Sequence, residues 1–534
     1  MEEVIHLSHV GEKGQLHDKK TFGGDLVTMK KVIVMTTAIL TLSTVIAGCS
    51  HSATKENTAK NTSESTKDKA SSSKLDPYKL TIVYATGAVP KDLKAVQEKM
   101  NAYLTDKINA TVELKPIEWG TWMEKTNLMI ATNEQMDVMM TAGGLGYSQN
   151  VAKGAFLPLD ELVAKYGADV TKALQPQFLD GTRIGGKIYG LPTNKEFASV
   201  DGILFNKALV DKYKFDISKV NKLEDLEPML QTIKDNEPGI VPFFGQEGRQ
   251  MSNFAVSSSS FDNLGDYLGG LDRSSKELKV VDIFESKVFM DYAKLARKWY
   301  QAKYMNLDAA TVKDFGAMQA GKAFAMYSEL KPGKDAEMSS AWGVKVVQKE
   351  MVNTPITLNT TGIMTAIPRT SKDPNRAMMF LNMLYGDKTL LNLFDFGVEG
   401  THYVKKDETT IDFPAGVDAA SVGYKNEPWM WGNQMLTYLF PNEDPKKWEK
   451  FKTFNETADK SPALGFAWNS ESLTQEVAAS NSVLKQYQQA IMSGSVDPEV
   501  YIPKMVAALK SAGIDKIIAE KQKQLNEWSA TAKK

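Results

Sequence analysis

Cys49 is the only cysteine in the 534-residue chain, so no disulfide can form within it, and the fold has to stand on packing and hydrogen bonding. Histidine is nearly as scarce. Of five histidines, His6, His9, His17 and His51 precede the stretch of globular composition, and His402 alone lies inside it. A Cys/His zinc site, a Ser-His-Asp triad and a Cys-His pair therefore lack their parts. No metal site and no cofactor are expected, and any catalysis would fall to a carboxylate pair or a Ser-Lys arrangement. Apolar residues make up 42% and aromatics 9% of the chain, enough for two or three domain cores. A net charge of −1 gives nucleic acid or an anionic surface nothing to hold, so no nucleic-acid partner is expected.

The position of Cys49 adds a second constraint. Met29-Lys30-Lys31, the apolar run Val32 to Val45 and Ile46-Ala47-Gly48-Cys49 form a charged start, an apolar segment and a small-residue cut site. That order is the anatomy of an export signal. A cysteine directly after Ala-Gly is the lipobox pattern, in which the thiol takes a diacylglycerol and becomes the new N-terminus. The competing reading is a transmembrane helix with an accidental cysteine. From Val32 to Ala47 there are about 16 largely apolar residues, interrupted by four threonines and Ser43, against the roughly 20 a spanning helix needs. Residues 1–28 are polar, and Gly23-Gly24-Asp25 is encodable as a ribosome-binding sequence just ahead of Met29. Met29 is therefore the expected initiator, with 1–28 an untranslated or non-native extension, 29–48 a lipoprotein signal peptide and 49–76 a disordered tether. Ser50 to Lys74 holds no large aliphatic side chain with which to offset its ordering entropy.

The globular part opens with Leu80-Thr81-Ile82-Val83-Tyr84, a β-branched strand. Leu93, Val96, Met100 and Leu104 then recur at helical spacing between Pro90 and Asp106. Thr111 to Ile117 reads as a strand, Trp119 to Asn133 as a helix and Met136 to Thr141 as a strand, giving β-α-β-α-β, the opening of a parallel sheet. Gly143, Gly144 and Gly146 follow the third strand, where ligands approach open sheets. Gly202 to Asn206 reads as the last strand of a first lobe, 77–206. Residues 207–365 form most of a second lobe, with helices predicted over Leu223–Asn236, Ser286–Ala302 and Thr311–Gly321. Residues 366–460 cross the hinge and add helical segments to both lobes. Residues 461–534 form a C-terminal helical module in which Gly513 ends one helix. The fold class is α/β: two lobes, each a mainly parallel sheet flanked by helices, with a helical C-terminal module.

Taken in order, these segments resemble the extracellular solute-binding lipoproteins of bacterial ABC importers, in the carbohydrate-type family 1. The resemblance is carried by the lipobox, Glu118-Trp119 ahead of Lys125-Thr126-Asn127-Leu128-Met129, Met136-Asp137-Val138 and Gly186-Lys187-Ile188-Tyr189-Gly190-Leu191-Pro192. It continues through Ala317-Met318-Gln319-Ala320-Gly321-Lys322 and Gly397-Val398-Glu399-Gly400-Thr401-His402-Tyr403. Leu464-Gly465-Phe466 through Gln524-Leu525-Asn526-Glu527-Trp528 is similar to a C-terminal domain of unknown function found in one subgroup, frequent in Gram-positive bacteria. The resemblance covers nearly all of residues 75–534. It implies a periplasmic-binding-protein-like fold that captures a sugar or oligosaccharide in an interlobe cleft, without catalysis, and delivers it to ABC permease subunits. The expected protein is a monomer, lipid-anchored on the extracellular face of the cell membrane. The rival is a membrane-anchored carbohydrate-active enzyme, a glycosidase or lyase, and a third class is an adhesin. With 65 acidic residues, carboxylate pairs in the sequence do not decide between them.

Sugars present apolar C–H faces and many hydroxyls, so a receptor wants aromatic platforms beside polar side chains. Trp119 and Trp122 stand three apart at a helix start. Trp429, Trp431 and Asn433 lie in an aromatic, proline-turned loop, the kind of segment that carries function. Glu399 and His402 occupy a Gly-bounded loop. Trp468 adds an aromatic near the C-terminal module, Tyr189 flanks the Pro192 turn, and Asp137 sits in a buried-looking strand. For each the alternative is structural: core packing for the tryptophans, a surface pair for Glu399 and His402, and a hydrogen-bond anchor for Asp137. The lipobox gives the first prediction. The N-terminal peptide of mature wild-type protein starts at Cys49 and carries a diacylglycerol mass, and Cys49→Ser removes that mass, as read by mass spectrometry.

Overall fold

The computed structural model describes residues 75–532 apart from 258, 276, 353–355 and 359. Residues 1–28, the signal-like segment 29–48, Cys49 and all but the last two residues of the 49–76 tether lie outside the described residues.

The first lobe is built on the expected β-α-β-α-β unit. Strand Tyr78–Thr86 pairs in parallel with Ala110–Glu118 on one side and Val138–Thr141 on the other. The crossovers are helices Leu93–Ile108 and Trp122–Ala131. Val96, Met100, Leu104 and Ile108, each four apart, form the buried stripe of the first helix. Met364–Ala366 and Leu191–Pro192 extend this sheet in antiparallel fashion. Helices Pro374–Gly386 and Lys388–Phe396 cover it, each started by an aspartate, Asp373 or Asp387, whose side chain accepts from first-turn amides.

The second sheet runs Val346–Glu350, Val200–Asn206, Ala323–Leu330, Val241–Phe244. Its first two pairings are antiparallel and its last is parallel. Val200–Asn206 therefore belongs to the second lobe, and the expected boundary after 206 moves ahead of 200. The strand's partners lie far downstream, with Phe205 opposite both Ala325 and Val347. The predicted Thr311–Gly321 helix contracts to Gly316–Gln319. Two bonds replace its helical ladder: Glu247 donates its amide to the Val312 carbonyl, and Asp314 accepts from the Gly316 amide.

The chain passes between the sheets at three places. Ser199 and Ile356 exchange two backbone hydrogen bonds of 2.9 Å, and Ile356–Thr357 pairs in parallel with Asp459–Lys460. Asn455, on helix Lys447–Thr457, accepts from the Phe197 amide at 2.7 Å and donates to the Lys195 carbonyl at 2.7 Å. Beside this ribbon the Glu196 carboxylate takes Lys195 and Lys331, each at 3.0 Å. Burial alone would raise the Glu196 carboxyl, but the charges of Lys331 and Lys195 outweigh it and hold it at about 2.

The C-terminal helices Thr474–Met492, Pro498–Ala512 and Ile514–Ala532 are not a separate body. Leu484, Ile491, Met505, Leu509 and Ile514 share one core with Phe261, Phe284 and Phe289 of the second lobe. Gly513, at φ 103°, makes the left-handed turn between the last two helices.

Asp137 is an anchor beneath the first sheet. Fully buried, its carboxylate accepts from Tyr78 OH at 2.8 Å, the Thr81 amide at 2.9 Å and Ser371 Oγ at 2.6 Å. With its oxygens engaged inside the lobe, it is not placed to contact a solute. Asp137→Ala strands those donors and should lower unfolding stability by about 2–4 kcal/mol in a denaturant titration. Glu196 predicts a pH dependence. Its folded-state value is depressed, so its stabilisation is complete above its ordinary 4.5 and is lost as pH falls through that range toward 2. Glu196→Gln should flatten that acid limb, measured as stability against pH.

Candidate functional site

Two adjoining cavities of ≈ 320 and ≈ 350 Å³ form a groove between the lobes and meet at Asn263 and Leu358. The first lobe contributes Gly143 to Gln149, the loop just past strand Val138–Thr141. The parallel strands of that sheet all end at this edge. Gly143 approaches the crossing segment so closely that a Cβ would stand 2.7 Å from Thr361 Oγ1, and its amide donates to the Thr361 carbonyl at 2.8 Å. The second lobe contributes Arg249, Asn253, Tyr267, Tyr327 and Glu329. The loop Asp262 to Asp266 lies opposite Gly143, and Phe466 to Trp468 close the third side.

Buried Asp201 supports the second-lobe wall. It accepts from Tyr327 OH at 2.7 Å, Ser257 Oγ at 2.7 Å and the Ser259 amide at 3.0 Å, so two groove residues are fixed from below. Burial, then the Asp201 charge, pushes the Tyr327 hydroxyl well above its usual range. It stays a neutral donor. Glu329 reaches solvent yet is enclosed by the groove walls; that enclosure, and next the Asp201 charge, raises its carboxyl. Enclosure likewise raises the Tyr267 hydroxyl, with Glu329 adding to it. The wall thus combines phenols, an amide pair, a guanidinium and a carboxyl group. That inventory bonds hydroxyls without demanding a charged ligand.

The structure separates the sequence candidates by burial. Trp122 and Trp431 are packed into the first-lobe core, where Trp431 meets Tyr84 and Phe394 edge-on or tilted. Neither ring has a face left for a solute. Asn433 accepts from Asn194 Nδ2 at 2.9 Å beside the crossing, where the Asn194 and Gln434 backbones are also bonded. His402 is buried, its Nδ1 accepting from the Val398 amide and its Nε2 paired with Asp92 at 3.2 Å. Glu399 pairs with Lys405 at 2.8 Å on the surface. Tyr189 is half-buried, its amide bonded to Tyr147 OH at 3.3 Å. Trp119 and Trp429, far apart in sequence, come together as parallel rings with centroids 6.3 Å apart and 5° between planes. Trp119 is 38% exposed and follows the carboxyl end of strand Ala110–Glu118, at the same sheet edge as the Gly143 loop. Trp468, half-buried, is the one of the ten candidates that lines either cavity, and it lines the ≈ 350 Å³ one.

Sequence reasoning missed Arg249, Asn263, Tyr267, Tyr327 and Glu329. The available signal lay in Asp262 to Asp272, where three aspartates, Asn263 and three glycines mark a tight loop. Leu264 at φ 51° and Gly265 at φ 101° confirm how sharply it bends.

Comparison with known proteins agrees with this geometry. The pattern of bacterial extracellular solute-binding proteins matches residues 87–389, and a domain of unknown function matches residues 462–530. A carbohydrate ABC transporter substrate-binding protein of Streptococcus pneumoniae serotype 4 is 30% identical over 461 residues, covering 84% of this chain and 90% of that protein. The N-glycan transport solute-binding protein NgtS of S. pneumoniae superposes with a TM-score of 0.73 at 28% identity, over 85% of this chain and 99% of NgtS. In complex with Man1GlcNAc the score is 0.67 at 28% identity, over 84% and 99% of the two chains. With Man5GlcNAc it is 0.64 at 29% identity, over 85% and 99%. By its match over more than half its length, its two-lobed α/β fold and its interlobe groove, the chain belongs to the bacterial extracellular solute-binding protein family.

Proposed function

We propose that this protein is the substrate-binding component of an ABC importer, capturing an oligosaccharide in the interlobe groove and handing it unaltered to permease subunits. The observation that carries this reading is the groove itself: phenols, amides, the Arg249 guanidinium and the Glu329 carboxyl beside aromatic rings, shared between two lobes joined by a hydrogen-bonded ribbon. The relatives support a glycan ligand, since NgtS is a transport protein described with Man1GlcNAc and Man5GlcNAc. In this reading ligand bridges both walls and stabilises the closed form through its greater affinity for it. The stacked Trp119–Trp429 pair extends the binding edge beyond the two cavities.

Glycosidic cleavage would need a second free carboxylate opposite the raised Glu329. Asp201 is buried with three donors on its oxygens, Asp262 accepts from Ser461 Oγ and the Leu264 amide, and Asp266 is held by Lys521 and Trp468, so these carboxylates are engaged within the protein. The lipobox at Cys49 supports a receptor tethered to the outer face of the membrane.

The test is calorimetric titration and thermal melting of the mature protein with Man1GlcNAc, Man5GlcNAc and unrelated oligosaccharides, with peptides as controls. A bound glycan at about 100 times Kd should stabilise the protein by roughly 2.7 kcal/mol and be recovered intact by mass spectrometry. Tyr267→Ala and Glu329→Gln should each weaken binding about tenfold with little change in the ligand-free melting temperature. Stabilisation by peptides alone, or a shortened glycan, would contradict the proposal.

A further inference from the structure

The domain of unknown function does more than cover one end of the second lobe. It holds, residue by residue, the loop that faces the first lobe across the groove. Lys521, in the last helix, is completely buried; its Nζ donates to Asp266 Oδ1 at 2.8 Å and to the Gly269 carbonyl at 3.1 Å. Trp468 Nε1 donates to the other oxygen, Asp266 Oδ2, at 2.9 Å. Lys521 Nζ also lies 4.8 Å from the Trp468 ring centroid, so wall ring, loop carboxylate and helix cation form one unit. A lysine buried to this degree is held by its partners alone, and losing one leaves an uncompensated charge.

Independent contacts repeat the pattern. Gly269, at φ 98°, lies so close to the last helix that a Cβ there would stand 2.9 Å from Ile518 Cγ1. Leu264, inside the loop, packs in one cluster with Ala463 and Leu525. Ser461, immediately ahead of the domain, bonds the Asp262 carboxylate through its Oγ. The loop so gripped, Asp262 to Asp266 continuing to Tyr267, is the one whose Asn263 joins the two cavities.

We propose that residues 462–530 complete the ligand site: Phe466 to Trp468 form its third wall, taking a hydroxylated sugar ring, and Lys521 is the positioning residue that fixes the facing 262–267 loop. This rests on the solute-binding reading above. A purely architectural role for the C-terminal helices predicts that loosening them lowers stability everywhere and leaves ligand selection alone. The positioning role predicts a local effect at the loop and a loss of affinity.

The experiment compares wild type, Lys521→Met, Trp468→Ala and Trp468→Phe by amide hydrogen exchange without ligand and by titration with Man5GlcNAc. Lys521→Met should speed exchange at 262–269 at least tenfold while the 143–149 loop keeps its wild-type rate. Affinity for Man5GlcNAc should fall about tenfold in Lys521→Met and Trp468→Ala, with Trp468→Phe recovering part of the loss by keeping an aromatic face. Should Lys521→Met fail to fold, the half-buried Trp468 variants carry the affinity test. Folded variants that melt lower yet bind as wild type does, with unchanged loop exchange, would overturn the inference alone. A wild type that binds no glycan would overturn the solute-binding reading together with the ligand assigned to this wall.

Discussion

Backbone hydrogen bonds between the crossing segments are the constraint on which the rest of this structure depends. Ser199, Ile356 and Asp459 lie in neighbouring strands of one narrow ribbon, and Asn455 clamps the entering segment from the side. A ribbon of this kind resists stretching along the chain but twists at small cost, because its bonds run between short strands rather than through a packed core. Each lobe keeps its own hydrophobic cluster on either side of it. The closure proposed above would turn about these crossings, as in hinge closure around a ligand. The Lys195–Glu196–Lys331 contact spans from a crossing segment to the end of a second-lobe strand, so it adds an electrostatic link at the same place.

With no disulfide within the chain, the first sheet and the second-lobe side of the groove are stiffened by buried polar contacts. Asp137 fixes the start of the first sheet, Asp201 holds Tyr327 and Ser257 under the second-lobe wall, and Lys521 with Asp266 secures the outer loop. All three are buried or near-buried charges whose oxygens or protons are satisfied within the protein. Such groups cost desolvation and return little net stability, but each breaks badly if a partner is lost. Asp201 and the Lys521–Asp266 pair hold groove-lining groups in one geometry, which benefits a receptor that must order few of its own side chains on binding.

Local patterns in the sequence were enough to read the β-α-β-α-β unit, because β-branched runs and four-residue apolar spacing are properties of short windows. The helices predicted over Leu223–Asn236 and Ser286–Ala302 were legible for the same reason, and the structure has Glu227–Asn236 and Lys287–Gln301 there. The lobe assignment of Val200–Asn206 was not, since its partners Ala323–Leu330 and Val346–Glu350 are remote and no residue within the strand names them. The tryptophans show the limit most clearly. Trp119 and Trp122 are three positions apart, as are neighbours on a helix, yet a 3₁₀ turn over Trp119–Thr121 leaves the first outside and sends the second into the core. Trp429 and Trp431 divide in the same way across a single turn. Tyr267, Glu329 and Arg249 become a site only once two distant loops and a strand end are brought together, and nothing in their own windows marks them.

The claim at the centre is that ligand shuts two lobes about the crossing ribbon. It is tested most directly by the distance between a spin label at Gln149, on the first-lobe wall, and one at Glu247, beside the second-lobe wall, each introduced as cysteine in a Cys49→Ser background and measured by pulsed electron resonance. Saturating oligosaccharide should replace the ligand-free distance by a single shorter one. A distance distribution that stays unchanged while calorimetry shows the glycan bound would contradict closure.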